Sequence, residues 1–493
     1  MKSLTNSPSK KLASFTLGCR LNIFETDGIV SKLLENGYSI AKEDESPDHV
    51  IINSCTVTSK ADSKNRLLVS KARQKFPNAK IWVTGCYAET DREVVESIPG
   101  VFAVVGNSEK STLPDLISRF DLESNVNLQP NDNLEFSFSY RAKTDSKFTS
   151  SPSFHSITDP NSISESSTQV SSSNRFSYLN AIPQGHTRAY LKVQDGCNRT
   201  CSYCKIPSAR GKGVSRDFRD TIDQVQYLQD NGIHEIILTG VNLGWYKNEN
   251  GEKAFAKLLE GILNQLTTAR LRISSLEPPD VNADLRDLLQ HPRFCKYLHI
   301  PLQSGSTKVL RAMNRTYTRE SFQKRIEMVK SEHPNLFLGT DVIAGFPNET
   351  ESEFHETISL LNELEFSKIH PFPYSPRANT SALSMGDPVT GPVKKERVHR
   401  LIALSSELHA KFAQKQIGSV QESILESDGQ FLSDLYCKIK THKPVDQLPI
   451  GDLYSVRIES YFSSPKGEGT FLGTVLSAGV LDREPILNGK EFS

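Results

Sequence analysis

Three cysteines fall within eight residues, Cys197-Asn-Arg-Thr-Cys201-Ser-Tyr-Cys204, between the strand-like run Ala189-Tyr-Leu-Lys-Val-Gln194 and the loop Lys205-Ile-Pro-Ser-Ala-Arg-Gly211. This feature constrains the fold most, because three thiolates so close in sequence can close on one soft metal centre only if a strand delivers them to a shared loop. A structural zinc site is normally closed by four protein ligands, and here a fourth cysteine or a close histidine is missing; the nearest candidates are His186 and His234. A cubane held by three cysteines keeps one iron open to a ligand. The bare pattern admits both readings.

The Cys-x3-Cys-x2-Cys spacing, with the aromatic Tyr203 before the last cysteine, resembles the signature of radical S-adenosylmethionine (SAM) enzymes. The resemblance implies a 4Fe-4S cluster on Cys197, Cys201 and Cys204 whose open iron chelates the amino and carboxylate groups of SAM.

With 493 residues the chain can hold about three domains with substantial cores. Lys plus Arg number 58, as do Asp plus Glu, so net charge neither demands nor excludes a nucleic-acid partner. Local basic groups exist at Lys71, Arg73 and Lys75 and at Lys394, Lys395, Arg397 and Arg400; they read either as an RNA face or as solvated helix faces. The first eleven residues carry charge without an apolar core, and no uninterrupted apolar run approaches ~18 residues. The expectation is a soluble, cytoplasmic protein with no membrane partner. Eight cysteines then point to metal or redox chemistry rather than to a disulfide scaffold.

Residues 9–120 read as one α/β domain. Strand candidates at 12–17, 50–53, 81–84 and 101–105 alternate with helical patterns, the first of which carries Ile23, Ile29, Val30, Leu33 and Leu34 and ends at Gly37. That alternation predicts a parallel, doubly wound sheet. Cys19, Cys55 and Cys86 each follow one of its strands within about two residues, and sites in such sheets form at the carboxyl edge. A second three-thiolate site is therefore expected, against the alternative of three small buried side chains.

Between 121 and 182 the pattern dissolves, with a dozen serines between 144 and 175, and the expectation is a disordered linker or insertion. Residues 183–415 carry strand candidates at 189–193, 235–239, 270–274, 297–300, 337–343 and 366–370 with helical patterns between them. Six such units predict a partial (β/α)6 barrel whose site lies at the carboxyl ends of the strands. The cysteine loop follows the first strand, and Gly240, Ser275, Glu277, Gln303, Ser304, Gly305 and Gly345 follow later ones, each readable as a turn residue or as a cofactor contact. Short strand candidates at 420–425, 435–439, 453–458 and 470–475 predict a small β-barrel over 416–482. Cys295 and Cys437 belong to neither trio.

Thr16-Leu-Gly-Cys-Arg-Leu-Asn22, Asn53-Ser-Cys-Thr-Val-Thr58 and Thr84-Gly-Cys86 resemble the amino-terminal domain of radical-SAM methylthiotransferases. Leu238-Thr-Gly-Val-Asn-Leu-Gly244, Leu298-His-Ile-Pro-Leu-Gln-Ser-Gly-Ser306, Asp341-Val-Ile-Ala-Gly-Phe-Pro347, His370-Pro-Phe-Pro-Tyr374 and Arg377 resemble further blocks of that family, and the tail, through Gly451-Asp452 and Gly473, is similar to the RNA-binding TRAM barrel. The resemblance implies an auxiliary 4Fe-4S cluster on Cys19, Cys55 and Cys86 that carries sulfur, with Tyr203, Gly240, Glu277, Gln303, Ser304 and Gly345 around SAM. It implies that one SAM methylates the sulfur and a second is reductively cleaved to a 5'-deoxyadenosyl radical. A low-potential electron donor such as flavodoxin or ferredoxin, and a sulfur source, are implied as partners. Members of the family act on isopentenyl-adenosine in tRNA, on threonylcarbamoyl-adenosine in tRNA, or on an aspartate of a ribosomal protein. Gly18-Cys-Arg-Leu-Asn22, Val193-Gln-Asp-Gly-Cys197 and Arg272-Ile-Ser-Ser-Leu-Glu-Pro278 most resemble the threonylcarbamoyl-adenosine branch, which implies methylthiolation at C2 of the adenine beside the anticodon. The competing reading from another class is a noncatalytic RNA-binding protein with zinc at both trios.

Overall fold

The computed structural model of the protein describes residues 10–125, 175–177, 181–464 and 467–479. The amino-terminal sheet is built from β1 (Lys11–Thr16), β2 (Ser39–Ile40), β3 (His49–Ser54), β4 (Lys80–Gly85) and β5 (Val101–Val105), all parallel, in the order β2-β1-β3-β4-β5. Every residue of the central β3 is buried, as a parallel sheet covered on both faces requires. The two-residue β2 was not expected; it is too short for any periodic signal. Helix Leu113–Asn125 runs past the expected boundary at 120 because Asp121 is held against the sheet, accepting a 2.6 Å hydrogen bond from Tyr38 and lying 2.9 Å from His49 Nε2.

Most of the serine-rich stretch expected to be a linker, 126–174 and 178–180, lies outside the described residues. Its described end is packed: Arg175 donates to the carbonyls of Arg210 and Lys212 at 2.6 and 3.1 Å, and Phe176 is buried with Lys192 5.4 Å from its ring centroid.

The central unit carries β6 (Ala189–Lys192), the short hairpin β7 (Gln194–Asp195) and β8 (Val214–Ser215), then β9 (Glu235–Thr239), β10 (Arg270–Ile273), β11 (Tyr297–His299), β12 (Phe337–Ala344) and β13 (Lys368–Pro373). Strands β6, β9 and β10 form one parallel sheet and β11, β12 and β13 another, joined by a parallel bridge between Ser275 and His299. The six parallel strands β6 and β9 to β13 form the partial barrel that the alternation predicted, with helices such as Phe218–Asp230 and Glu351–Glu363 outside. Caps define those helices: Asp217 accepts from Arg219 N, and Thr350 with Glu353 forms a capping box. The last strand lies later than the expected 366–370, since Phe366 is packed beneath the sheet and pairing starts at Lys368.

Strands β14 (Val420–Leu425), β15 (Phe431–Ser433), β16 (Lys438–Thr441), β17 (Leu453–Ser464) and β18 (Gly467–Ala478) close into a barrel in the order β14-β15-β16-β18-β17. The three-residue β15 was not expected, and residues 480–482 of the predicted barrel lie outside the described residues.

A buried ion cluster joins this barrel to the central unit. Arg270 and Arg272, two apart on β10, face the same side and both pair with Glu235 of β9, each through an Nε–H bond of 2.8 Å. Their remaining N–H groups donate to the carbonyls of Glu422, Leu432, Ser433 and Asp434 at 2.6 to 3.1 Å. Burial alone would raise the Glu235 carboxyl, but Arg272, Arg270 and Arg188 hold it far below the ordinary carboxylate range. Among the described residues no helix is long and apolar enough to cross a membrane.

Glu235→Gln keeps the side-chain volume but strips two buried guanidinium groups of their counter-charge; it is expected to cost about 3–5 kcal/mol, read as a lowered midpoint in denaturant unfolding. A second effect concerns Asp27, buried on the helix Arg20–Glu35, where it accepts from Gln184 N at 3.4 Å and lies 3.0 Å from His186 Nε2. Burial pushes its carboxyl up to about 8. A raised folded-state value means that the folded protein holds this proton more tightly than the unfolded chain. Its contribution is therefore complete below the ordinary aspartate range and is lost as pH rises through about 8. The thermal midpoint should fall between pH 6 and pH 9, and less so in Asp27→Asn.

Candidate active site

The carboxyl ends of the adjacent strands β1, β3 and β4 lead into Cys19, Cys55 and Cys86. Cys19 caps the helix Arg20–Glu35, and Cys86 opens the helix Cys86–Thr90. The approach is tight. Gly18 has φ +108°, and a Cβ there would lie 2.8 Å from Cys55 Cβ and 3.0 Å from its Sγ. Gly85, with φ +101°, has no room either, since a Cβ would stand 2.3 Å from the Ser54 carbonyl oxygen. The three thiols act on one another: burial pushes Cys55 up to about 11, and Cys86 and Cys19 add to the rise. Burial also raises Cys19, partly offset by Arg210, with Cys86 again raising it. Asn107 Nδ2 lies 3.5 Å from Cys86 Sγ and donates to the Ala209 carbonyl at 2.7 Å.

The second trio sits in the loop after β7. Gly196, at φ +73°, turns the chain beneath Lys212, whose carbonyl oxygen would be 2.1 Å from an added Cβ, and Cys197 N–H donates to the Gly211 carbonyl at 3.0 Å. Each sulfur meets an N–H donor: Arg199 N at 3.4 Å from Cys197, Arg315 Nη1 at 3.3 Å from Cys201, and Ile206 N at 3.4 Å from Cys204. Burial pushes Cys204 up to about 12 and raises Cys197, with neighbouring thiols adding to both. Such thiols stay protonated until a metal displaces the proton. Among the described residues no three His, Cys, Asp or Glu side chains are set to enclose a single ion. Two all-sulfur trios with N–H groups aimed at sulfur fit the donor chemistry of iron-sulfur clusters.

The barrel mouth gathers most of the other expected residues. Glu277 pairs with Arg315 and lies 3.8 Å from Arg199 Nε. Tyr203 packs edge-on against Phe346, ring centroids 6.4 Å apart. Gly240 is wedged, with Leu243 Cδ2 2.9 Å and Gln194 Cβ 3.1 Å from an added Cβ. Gln303 adopts φ +65°, unusual for a side chain of its type, and its backbone pairs with β12 through Asp341 O and Ile343 N, both at 2.9 Å. Gly345, at φ +74°, donates its N–H to Glu349 at 2.6 Å. Ser304 differs from expectation: its side chain is fully buried and turned toward Thr357, 3.4 Å away, so its hydroxyl braces the loop and only its backbone belongs to the mouth.

One buried network ties the two trios together. Arg210, just after the second trio, donates to Glu25 at 2.9 and 3.2 Å, to Asp195 at 3.0 Å and to Asn22 Oδ1 at 2.7 Å. Lys192 joins Glu25 at 2.9 Å to Asp195 at 3.2 Å, and Lys110 reaches Glu25 at 2.6 Å. Asn22 in turn donates to the carbonyls of Leu17 and Ser54, which flank Cys19 and Cys55, at 2.8 and 3.0 Å. Burial would raise the Glu25 carboxyl, but Arg210, Lys110 and Lys192 hold it well below its ordinary value.

Sequence reasoning missed Glu25, Lys110, Lys192, Asp195 and Arg315 as site residues; for Glu25 and Lys192 a charge within an otherwise apolar stretch was the available signal, whereas Lys110 and Arg315 stand in polar stretches and gave none. Arg377 clasps the amino-terminal domain, donating to Thr56 Oγ1 at 2.7 Å and Asp62 at 2.8 Å. Of the two basic runs, Lys71, Arg73 and Lys75 are exposed, whereas Lys394 and Arg397 are buried against Asp387 and Glu349, and Arg400 pairs with Glu351. Within that second run Lys394 and Arg397 are internal scaffolding with paired charges, while Lys395 is exposed. Cys295 and Cys437 are buried in the core.

Residues 191–361 match the family described as Radical SAM superfamily, and residues 11–106 match the one described as Uncharacterized protein family UPF0004. Over 475 residues the chain is 36% identical to the Threonylcarbamoyladenosine tRNA methylthiotransferase MtaB of Bacillus subtilis (strain 168), which covers 94% of this chain and 97% of the relative. The protein of the same description from Aquifex aeolicus (strain VF5) is 30% identical over 431 residues, 87% of this chain and 96% of the relative. A tRNA-2-methylthio-N(6)-dimethylallyladenosine synthase from Corynebacterium diphtheriae is 32% identical over 426 residues, 84% of this chain and 75% of the relative. With both family regions in place on a fold that brings two cysteine trios to one network, the chain belongs to the radical-SAM tRNA methylthiotransferases, enzymes that work with SAM and two 4Fe-4S clusters.

Proposed function

We propose that this enzyme methylthiolates C2 of N6-threonylcarbamoyladenosine beside the anticodon of tRNA. The observation that carries the reading is the shared network of Arg210, Glu25 and Asn22, which braces the loops of both trios against one another. The relatives from Bacillus subtilis and Aquifex aeolicus are named for that substrate, which supports the choice of base.

In this reading Cys197, Cys201 and Cys204 hold the cluster that receives SAM, and Cys19, Cys55 and Cys86 hold the auxiliary one. Bound there, the groups supply a carbon radical made by reduction and a transferable methylthio sulfur. The chain's own residues do the positioning. Arg199 N, Arg315 and Ile206 N donate to the three thiolates of the radical site and offset their charge. Glu277 orients Arg315. Tyr203, Gly240, Gln303, the Ser304 backbone and Gly345 line the SAM pocket, where glycines let the cofactor approach the backbone. The buried ion network holds the two loops in line so that the target carbon meets both. A low-potential donor of the flavodoxin or ferredoxin class and an external sulfur source complete the cycle, in a cytoplasmic setting.

The dimethylallyl-adenosine reading is favoured by the Corynebacterium diphtheriae relative. Mass spectrometry of tRNA nucleosides from a deletion strain separates the two. Loss of the methylthiolated threonylcarbamoyl nucleoside, with its precursor accumulating and wild-type gene restoring it, is expected; disappearance of the dimethylallyl product instead would reverse the substrate choice.

Cys201→Ala should abolish 5'-deoxyadenosine formation and leave the auxiliary trio loaded, lowering iron and sulfide from roughly eight of each per chain to roughly four. A variant that still cleaves SAM reductively would displace the radical site from this loop.

A further inference from the structure

Resting on the reading that both cysteine trios hold clusters, we propose that Arg377 is a positioning residue for the reaction. From the segment 375–382, which bridges the two cysteine loops, it keeps the Cys55 loop in register with the Cys197, Cys201, Cys204 loop, so that cleavage of SAM at one stays in step with methylthio transfer at the other.

The segment begins just past the end of β13, the last strand of the partial barrel. Its first half grips the amino-terminal domain. Ser375 Oγ lies 3.0 Å from Ser59 Oγ, and the buried Arg377 guanidinium donates to the Thr56 carbonyl at 3.0 Å, to Thr56 Oγ1 at 2.7 Å, to Asp62 at 2.8 Å and to Ser59 Oγ at 3.3 Å. Thr56 directly follows Cys55, and its hydroxyl donates to the other oxygen of Asp62 at 2.8 Å. Only a planar fork of donors can hold a carbonyl, a hydroxyl and a carboxylate at once.

The second half reaches the other trio. Ala382 N–H donates to the Ser202 carbonyl at 2.8 Å, and Ser202 stands between Cys201 and Cys204. Ser202 is fixed on its other sides as well, its N–H donating to the Met313 carbonyl at 3.1 Å and its hydroxyl to the Ala312 carbonyl at 2.9 Å. Between the two grips the chain turns back on itself: Asn379 adopts φ +61°, and Thr380 Oγ1 donates to the Arg377 carbonyl at 2.7 Å. Tyr374 and Ala382, at either end, are buried in one apolar cluster with Phe346 and Met313, against which Tyr203 packs.

This tie shares no residue with the Arg210 network, which braces the trios through Asn22 and Asp195. Its two grips are also separable. Arg377→Gln removes the fork from Thr56 and Asp62 and leaves Ala382 on Ser202, so the loop that receives SAM keeps its support while the Cys55 loop loses its own. Small misplacements of reacting groups slow the step that needs both partners far more than the step that needs one. In the uncoupled event the 5'-carbon takes its hydrogen atom from a thiol of the reaction mixture, which becomes a thiyl radical, and the base is left unmodified.

The test uses the full-length enzyme with both clusters loaded and tRNA from a strain lacking it. The ratio of 5'-deoxyadenosine to methylthiolated nucleoside should rise about tenfold in Arg377→Gln and in Asp62→Asn. Together the two changes should raise it little more than either alone, because both break one contact. Arg377→Lys, which keeps the charge without the fork, should recover part of the coupling. Hydrogen exchange of the same loaded proteins should quicken over residues 56–62 in Arg377→Gln and stay as in wild type over 199–204. Iron and sulfide content separates lost register from a lost cluster; if Arg377→Gln loads poorly, the ratio is compared in Asp62→Asn, which keeps both bonds to Thr56. A general weakening of the fold lowers both products together, so a variant with the wild-type ratio, or with unchanged exchange over 56–62, would overturn the role of Arg377 while the reading of the trios stands. A wild-type protein that binds zinc without sulfide, or that releases no 5'-deoxyadenosine, would overturn both.

Discussion

The architecture depends on the buried contact between Arg210 and Glu25. Arg210 belongs to the central unit and Glu25 to the amino-terminal domain; the bidentate pair, at 2.9 and 3.2 Å, is one of the points where the two meet. Burying charge is expensive unless each ion is fully paired. Here Lys110, Lys192 and Asp195 complete the pairing, and Asn22 extends it to the loop carbonyls beside Cys19 and Cys55. Such a network is poor evidence of extra stability, since well-packed apolar side chains often serve as well, but it is directional in a way that apolar packing is not. Two cysteine loops from different domains, proposed to hold the clusters, need fixed relative orientation, and fork-shaped hydrogen bonds give it.

The same device recurs at the other end of the barrel, where Arg270 and Arg272 meet Glu235 and the carbonyls of the carboxyl-terminal unit. The central unit is therefore held to its neighbours by arginines, Arg210 from the helix Ile206–Arg210 and Arg270 with Arg272 from β10. Ion clusters lie at its domain contacts, and beside the second of them Tyr297 meets Tyr436 of the carboxyl-terminal barrel, ring centroids 4.8 Å apart.

The thiol chemistry follows from burial. Most of the site's cysteines are held above their ordinary range by desolvation and by one another, so without metal they resist becoming thiolates. Neighbouring N–H groups and cations, Arg315 at Cys201 and Arg210 near Cys19, oppose that tendency once a positive centre arrives. In the proposed reading the thiols stay protonated until a cluster arrives to displace their protons.

The sequence by itself determined the alternation of strands and helices, the position of each cysteine just past a strand end, and the short strands of the tail. These are local signals: period-two apolar runs, glycines at tight turns, and close spacing of Cys197, Cys201 and Cys204. It also brought out the family, because whole blocks around those cysteines are shared. Only the tertiary structure decided that Arg210 meets Glu25, that Arg377 clasps Asp62, that Lys394 and Arg397 are internal, and that the Ser304 hydroxyl faces away from the mouth. Each of these is a contact between residues distant in sequence, or a choice of which way a side chain turns, and a charged residue looks the same in a one-dimensional pattern whether water or a buried partner awaits it. The strands β2 and β15 escaped for a related reason, since two or three residues carry no period, and pairing is supplied by neighbours that only the folded chain brings alongside.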